Sequence, residues 1–201
     1  MQDKEFFNEV AEKWDTMCCH PREKVDHVIE SIGLTEGEKV LDIGSGTGIA
    51  IPYLEKKVGK NGSITALDIA GNMIQISKRK NKYLNLNFKV ADFFEYESSK
   101  NYDCIVAYSC YPHFKNKEKF FEKAHRLLKT GGKLVIAHIE SKDVINLRHS
   151  KIEDKLDSNA LVDVGKLAEF AERRGFISSY MQDDSEFYIY VGKKFNFVLN
   201  S

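Results

Sequence analysis

Hydrophobic residues along this chain alternate between short apolar runs and segments with helical spacing. After the first run, for example, Ile49, Tyr53, Leu54 and Val58 repeat at the spacing of one helix face. Parallel neighbouring strands need long crossover connections, so this alternation predicts an α/β fold with a parallel sheet and helices on both of its faces. The runs that predict strands are 39–43, 63–67, 86–90, 102–108 and 133–139.

The alternation weakens after Glu140. A polar stretch runs to about Ala160, and a predicted helix follows over 164–174. Two further strands are predicted at 176–181 and 186–193. They are close in sequence, so we expect them to pair antiparallel as a hairpin.

Size and charge restrict the possible classes of protein. A chain of 201 residues predicts one domain, and its 30 basic and 30 acidic residues balance, so no net field favours nucleic acid or an anionic membrane. No apolar run approaches the roughly 18 residues of a membrane span, and the N-terminus lacks the features of a secretory signal. The four cysteines include no CxxC pair. We therefore expect a cytoplasmic protein with reduced thiols and a small partner.

The glycine loop at 44–48 follows the first strand, where open α/β sheets bind nucleotide-like ligands. A tight strand-to-helix turn would also explain the glycines. However, Ile49 stands where a dinucleotide fingerprint needs a small residue, and Asp42 precedes the loop by two positions. A carboxylate there would repel a pyrophosphate and attract an ammonium or sulfonium group. The loop therefore predicts a ligand with cationic centres.

Aspartates also end the next two strands. Asp68 is placed to accept the hydroxyls of a ribose, and Asp92 could meet an adenine amino group. Each could instead cap a helix. Together with Asp42, they predict a nucleoside pocket at the carboxyl edge of the sheet.

These motifs resemble the class I S-adenosylmethionine-dependent methyltransferases, in particular the menaquinone and ubiquinone methyltransferase branch. The resemblance covers about residues 35–140 in the order of that family. It is carried by LDIGSGTG (41–48), ALDIAGNMIQISKRK (66–80), VADFFEY (90–96), YDCIVAYSCYPHF (102–114) and LLKTGGKLVIAHI (127–139).

The resemblance implies a doubly wound, Rossmann-like seven-stranded sheet of order 3-2-1-4-5-7-6, with strand 7 antiparallel. It also implies a role for individual residues toward S-adenosylmethionine. The loop residues and Asp42 would hold the methionine portion, and the later motifs would hold the ribose, the adenine and the region near the sulfonium. The implied cofactor residues are Asp42, Gly44, Ser45, Gly46 and Gly48, then Asp68 for the ribose, Ile69, Met73, Asp92 and Phe93 for the adenine, and Ser109 near the sulfonium.

The N-terminal segment 6–15 resembles the amphipathic lid helix of this branch, and Trp14 is expected to pack over the cofactor. A plain surface helix is the alternative. The expected organisation is one domain over 1–201, with a lid at 1–30, a cofactor-binding core at 35–140, and an acceptor-side segment with the closing hairpin at 141–201.

Histidines gather near the same sheet edge. In one interpretation His113, or else His138, is a general base. In a second, several of the four bind a divalent metal, and in a third they make separate polar contacts. The two other histidines lie on predicted helices, and Asn146, Arg148 and Asp157 could contact the acceptor. The four edge histidines are His20, His113, His138 and His149; the two on helices are His27 and His125.

The sequence thus predicts methyl transfer from S-adenosylmethionine to a small-molecule acceptor by in-line displacement, in a monomer or homodimer. The main alternative is a non-catalytic protein that binds S-adenosylmethionine or metal on the same fold. An aminopropyl transferase is a further alternative. Nucleic-acid methylation is disfavoured by the neutral charge and by the sequence 109–112, which lacks an (N/D)PPY-like run.

Overall fold

Seven strands form one sheet in this computed structural model, which describes residues 2–99, 101–151 and 159–195. The spatial order is β3-β2-β1-β4-β5-β7-β6, as the resemblance implied. The strands are β1 Lys39–Ile43, β2 Ser63–Asp68, β3 Leu86–Val90, β4 Tyr102–Tyr108, β5 Leu128–His138, β6 Phe176–Asp183 and β7 Tyr188–Lys194.

The first five strands are parallel, and β7 runs antiparallel to both β5 and β6. The chain order reverses between β1 and β4, so the loops after these two strands diverge and leave a crevice at the carboxyl edge. Asp42 in β1 pairs with Ala66 of β2 and with Val106 of β4. This register places the ends of β1, β2 and β4 side by side around the crevice.

Helices cover both faces of the sheet. Helices α3 and α4 pack with the core of one face, and α6 and α8 with that of the other. This arrangement confirms the doubly wound fold. The helices are α1 Gln2–Val10, α2 Trp14–Met17, α3 Arg22–Ile32, α4 Ile51–Val58, α5 Gly71–Lys80, α6 Lys117–Leu127, α7 Lys142–Ser150 and α8 Val164–Glu172.

Three elements differ from the predictions. Strand β5 begins at Leu128 rather than at residue 133, so Gly131 and the glycine after it lie within the strand. The polar stretch after β5 contains α7, whose first turn is capped by the Ser141 hydroxyl accepting from the Val144 amide (3.3 Å). Helix α3 lies within the predicted lid region, yet its apolar face is buried in the core.

No helix within the described ranges is both long and apolar enough to span a bilayer.

Candidate active site

The loop after β1 is shaped by glycines with left-handed backbone angles. Gly44 has φ 61° and Gly46 has φ 53°. A Cβ on Gly44 would lie 2.7 Å from Cys110 Cβ, because the loop passes directly against the segment after β4. A Cβ on Gly46 would meet nothing within 4 Å among the described residues. Gly44 is thus needed for packing, whereas Gly46 leaves backbone bare to the crevice.

Gly48 has a different surrounding from the two glycines before it. A Cβ there would collide with Ser77 and would lie 2.6 Å from Asn81 Nδ2. The missing side chain therefore lets the start of α4 approach α5. Gly48 therefore allows the glycine loop to pack closely against α5.

Asp42 is the most unusual group at this edge. Its side chain is 1% exposed, and Oδ2 has no hydrogen-bond partner within the part of the chain that the structure describes. Burial, together with the neighbouring Asp68, raises the pKa of the Asp42 carboxyl to about 8. The buried Ser45 hydroxyl is likewise unpartnered among these residues. Burying polar atoms without partners is costly, and a bound ammonium group would supply hydrogen bonds to both of these oxygens.

Asp68 joins the glycine loop to the end of β2. Its Oδ2 accepts from the Gly46 amide and its Oδ1 from the Ala70 amide, each at 2.8 Å. Burial raises the pKa of Asp68, and the backbone hydrogen bonds oppose that rise. Each carboxylate oxygen retains a further acceptor position, which two vicinal hydroxyls of a ribose could use.

The end of β3 contributes less than the motif implied. Asp92 Oδ1 accepts from the Phe94 amide at 2.8 Å, so this carboxylate caps the turn after the strand. The Phe93 side chain is buried in the aromatic core, 5.6 Å from the ring centroid of Phe120. The turn uses one oxygen of Asp92, so the other oxygen and the neighbouring backbone remain the groups that could meet an adenine edge.

The N-terminal segment lies over the crevice. Asn8 bonds the backbone and side chain of Asn72 at the start of α5 (2.9 and 3.0 Å). Asp15 accepts from Thr47 Oγ1 of the glycine loop and from Lys80 Nζ, both at 2.5 Å. Trp14 packs with buried Met73 in a small apolar cluster, as a cover over an adenine would require.

Two other implied residues, Ile69 and Ser109, directly follow β2 and β4 and are at least partly exposed at the edge. Ser109 has φ 55°, a conformation that non-glycine residues rarely adopt, and its amide donates to the Ala137 carbonyl at 2.8 Å. Strained backbone of this kind is concentrated at functional sites.

Three of the four edge histidines come together beyond the end of β4. His113 Nδ1 lies 3.2 Å from Asp3 Oδ2, and the His113 and His149 ring centroids are 5.2 Å apart. His138 is 4% exposed, and both its Nε2 and His149 Nδ1 are unpartnered among the described residues. Burial lowers the pKa of His138 to about 3 and that of His149 to about 4. Both rings are therefore neutral near pH 7.

His20 stands apart from this group, since its Nδ1 is 2.8 Å from the Tyr108 hydroxyl. Within the described ranges no group of three or more histidine, cysteine or acidic side chains could hold a metal ion. The predicted metal site is therefore not supported. The Nε2 atom of His27 lies 2.7 Å from Gln182 Oε1. The Nε2 atom of His125 lies 3.1 Å from the Phe195 carbonyl oxygen.

The residues proposed after β5 as acceptor contacts have structural partners instead. Asn146 and Leu161 exchange two hydrogen bonds, at 2.9 and 2.7 Å, which tie α7 to the chain before α8. Arg148 forms an ion pair with Glu140. Asp157 lies outside the described residues.

Sequence reasoning missed Asp3 and Lys117. Lys117 donates to the Tyr111 carbonyl at 2.7 Å and lies over the Tyr111 ring at 4.0 Å, which fixes the short turn that carries His113. Burial lowers the pKa of Lys117 to about 7. Neither residue belongs to a motif, and only the distances between distant segments reveal them.

Comparisons with known proteins agree with this geometry. A family model described as "Methyltransferase domain" matches residues 34–186. The demethylmenaquinone methyltransferase of Tropheryma whipplei is 33% identical over 107 residues, which are 52% of this chain and 43% of that protein. The ubiquinone/menaquinone biosynthesis C-methyltransferase UbiE of Edwardsiella ictaluri is 28% identical over 144 residues, covering 69% of this chain and 57% of that protein. The chain thus spans about half the length of the curated relatives it matches.

Solved structures show the same fold at low identity. A methyltransferase in complex with the Haloferax volcanii Trm112 methyltransferase activator superposes with a TM-score of 0.83 at 17% identity, covering 96% of this chain and 97% of that one. Phosphoethanolamine N-methyltransferase 2 of Haemonchus contortus, in complex with S-adenosyl-L-methionine, superposes with a TM-score of 0.69 at 19% identity. The match covers 87% of this chain and 53% of that one. Because the family model spans most of the chain, the protein belongs to the methyltransferase-domain family, and it has the fold of the class I S-adenosylmethionine-dependent methyltransferases.

Proposed function

We propose that this protein transfers the methyl group of S-adenosylmethionine to a small-molecule acceptor by in-line displacement. The observation that carries the proposal is the buried Asp42 oxygen, which has no hydrogen-bond partner within the described residues, together with the buried Ser45 hydroxyl and the neighbouring Asp68 carboxylate. Two carboxylates at one edge are costly to bury together unless a cation and hydrogen-bond donors complete them. The ammonium and ribose of the donor supply both.

In this proposal each segment has one task. Asp42 holds the ammonium, the bare backbone at Gly46 meets the methionine portion, and Asp68 accepts from the ribose hydroxyls. Met73 and Trp14 enclose the adenine under the N-terminal segment. We assign residues 1–30 as the lid region, in which the part before α3 covers the crevice and α3 anchors it to the core. Residues 35–140 are the cofactor-binding core, and 141–201 are the acceptor side with the closing hairpin.

When bound, the donor supplies a methyl group already activated by a sulfonium, so the protein mainly aligns the reactants and excludes water. A base is needed only for an acceptor that arrives protonated. His138, with a pKa of about 3, is a weak proton acceptor near pH 7. We therefore assign the base role to His113 and give His138 and His149 hydrogen-bonding roles toward the acceptor.

The groups that we propose to meet the acceptor favour a small, uncharged ligand. Two of its polar groups, His138 Nε2 and His149 Nδ1, are neutral and unpartnered among the described residues, and they are suited to hydrogen bonds rather than to ion pairs. The formal net charge of the chain is zero, so long-range attraction of a polyanion is absent.

Isothermal titration with S-adenosylmethionine and with its demethylated product tests the donor site. We expect micromolar binding of both by the wild-type protein, and a loss of at least tenfold in affinity for Asp42→Asn and Asp68→Ala. Asp26→Asn, an exposed change of equal charge on α3, is the matched control and should bind normally. Wild-type protein that binds neither compound would refute the proposal.

Turnover is tested separately, by following donor consumption across a panel of small-molecule acceptors. Binding together with turnover supports the enzyme, whereas tight binding with no turnover of any acceptor would instead support a non-catalytic protein that binds the donor.

A further inference from the structure

A carboxylate near the start of the chain reaches the loop after β4. Asp3 Oδ2 lies 3.2 Å from His113 Nδ1, and the two side chains are 20% and 16% exposed. The residues are separated by 110 positions in sequence. The pair therefore exists only because α1 lies across the sheet edge.

The contact determines which nitrogen of His113 carries a proton. An ionised carboxylate only accepts hydrogen bonds, so Nδ1 must be the donor. In the neutral ring Nε2 then holds a free lone pair and can accept a proton. The same arrangement, a carboxylate that orients the imidazole of a base, recurs in unrelated enzymes.

The imidazole plane is held from other sides as well. The Phe7 ring, also on α1, meets it edge-on with centroids 5.3 Å apart, and His149 lies 5.2 Å away on α7. The His113 amide donates to the Cys110 carbonyl at 3.1 Å. The N-terminal segment, the turn at 111–113 and α7 thus hold the imidazole ring in one orientation.

We propose that Asp3 is a positioning residue that orients His113 and sets its tautomer, so that the N-terminal segment completes the base as it covers the donor. This inference rests on the proposed function. The same segment that places Asp3 also places Asp15 on Thr47 of the glycine loop. One covering element thus contacts both the donor side and the acceptor side of the crevice.

The proton balance of the step is simple. The bond between hydrogen and the nucleophilic atom of the acceptor breaks, and its proton goes to His113 Nε2. The nucleophile's electron pair forms the new bond to the methyl carbon, while the pair of the old carbon–sulfur bond remains on sulfur. The resulting imidazolium is paired with the Asp3 carboxylate.

Three other titratable groups interact electrostatically with His113: Asp68 at the end of β2, His138 in β5 and His149 in α7. Lys117, at the start of α6, donates to the Tyr111 carbonyl of the turn that carries His113. Since His138 and His149 are neutral near pH 7, they do not replace Asp3 as a charge partner of the ring.

The test is nitrogen NMR of the imidazole rings in ¹⁵N-histidine-labelled full-length protein, at about pH 8, where an ordinary histidine is neutral. It is run on ligand-free protein and with the demethylated donor. We expect wild-type His113 as the Nδ1–H tautomer, a mixture of tautomers in Asp3→Ala, and recovery of the wild-type pattern in Asp3→Glu.

Glu5→Ala is the matched control, because it removes an exposed acid from the same helix, and it should leave His113 unchanged. The signals of the other five histidines report whether each variant is folded. A wild-type Nε2–H tautomer would overturn the inference even if Asp3→Ala failed to fold, and so would an Asp3→Ala spectrum identical to wild type. Neither result depends on donor binding, which titration measures separately.

Discussion

Replacing Asp42 by asparagine should make the ligand-free protein less sensitive to pH. The Asp42 carboxyl is fully buried, has a pKa of about 8, and has one oxygen without a partner among the residues described. Unfolded aspartate releases its proton near pH 3.9. Between these two values the native state holds a proton that the unfolded state has lost. The free energy of unfolding therefore falls as pH rises through this window and levels off above about pH 8.

The slope from one such group is about 1.4 kcal/mol per pH unit. Over the three units from pH 5 to pH 8, the wild-type protein should lose about 4 kcal/mol relative to Asp42→Asn. For a domain of this size, the Tm of the wild type should fall by about 10 °C more than the Tm of Asp42→Asn over this pH range.

The assay is urea unfolding of both proteins at several pH values from 5 to 9, without ligand. The difference between the two curves reports the titration of Asp42 together with its interaction with Asp68, because the remaining titrating groups are common to both proteins. Asp26→Asn should follow the wild type. Parallel curves that diverge by less than about 1 kcal/mol across this range would refute the argument that Asp42 is buried, protonated and costly to ionise.

Four other changes test separate parts of the site. Gly44→Ala should lower stability by about 2–4 kcal/mol in urea unfolding, because a left-handed φ adds strain and the new Cβ meets Cys110; a loss below about 1 kcal/mol would contradict this. Gly46→Ala should cost only about 1–2 kcal/mol of strain, yet weaken donor binding at least tenfold by titration, and unchanged affinity would show that the donor does not approach this backbone. Asp15→Asn removes an ion pair and should speed hydrogen exchange in α1 without affecting β1, whereas unaltered exchange in α1 would mean that Asp15 does not hold the lid. His138 has a pKa of about 3 in the folded protein, so as pH falls from about 6.5 toward 4 the unfolded state gains a proton that the folded state does not, and the wild type should lose stability. His138→Gln should lose less stability over this range. Equal losses in the two proteins would contradict the argument that His138 is buried and neutral.

The sequence predicted the sheet well because its strands carry strong local signals. Strands such as β1 and β4 are apolar runs buried on both faces, and glycines or polar loops separate them from the elements that follow. Helix α7 was missed because it buries only Ile145 among the residues described, which leaves almost no apolar period in its sequence. Helix α3 had a clear period, with Val25, Val28, Ile29 and Ile32 buried, but the segment was assigned to the lid.

The grouping of Asp42, the glycine loop and Asp68 at one sheet edge was predictable because motif and position agree. Asp42 and the glycine loop are adjacent in sequence, and Asp68 ends the neighbouring strand. The acceptor side was only partly predictable. The pair of Asp3 and His113 joins opposite ends of the fold, and no local pattern encodes such a contact. Asp92 caps the turn after β3 with one carboxylate oxygen, and its expected role at the adenine edge stays a prediction.

The most direct test of the account is a crystal structure of the protein with the demethylated product of S-adenosylmethionine. The account predicts the amino group of the ligand within hydrogen-bond distance of Asp42 Oδ2 and the ribose hydroxyls on the Asp68 carboxylate, with the N-terminal segment over the adenine. A ligand bound elsewhere, with Asp42 Oδ2 still lacking a partner, would contradict it.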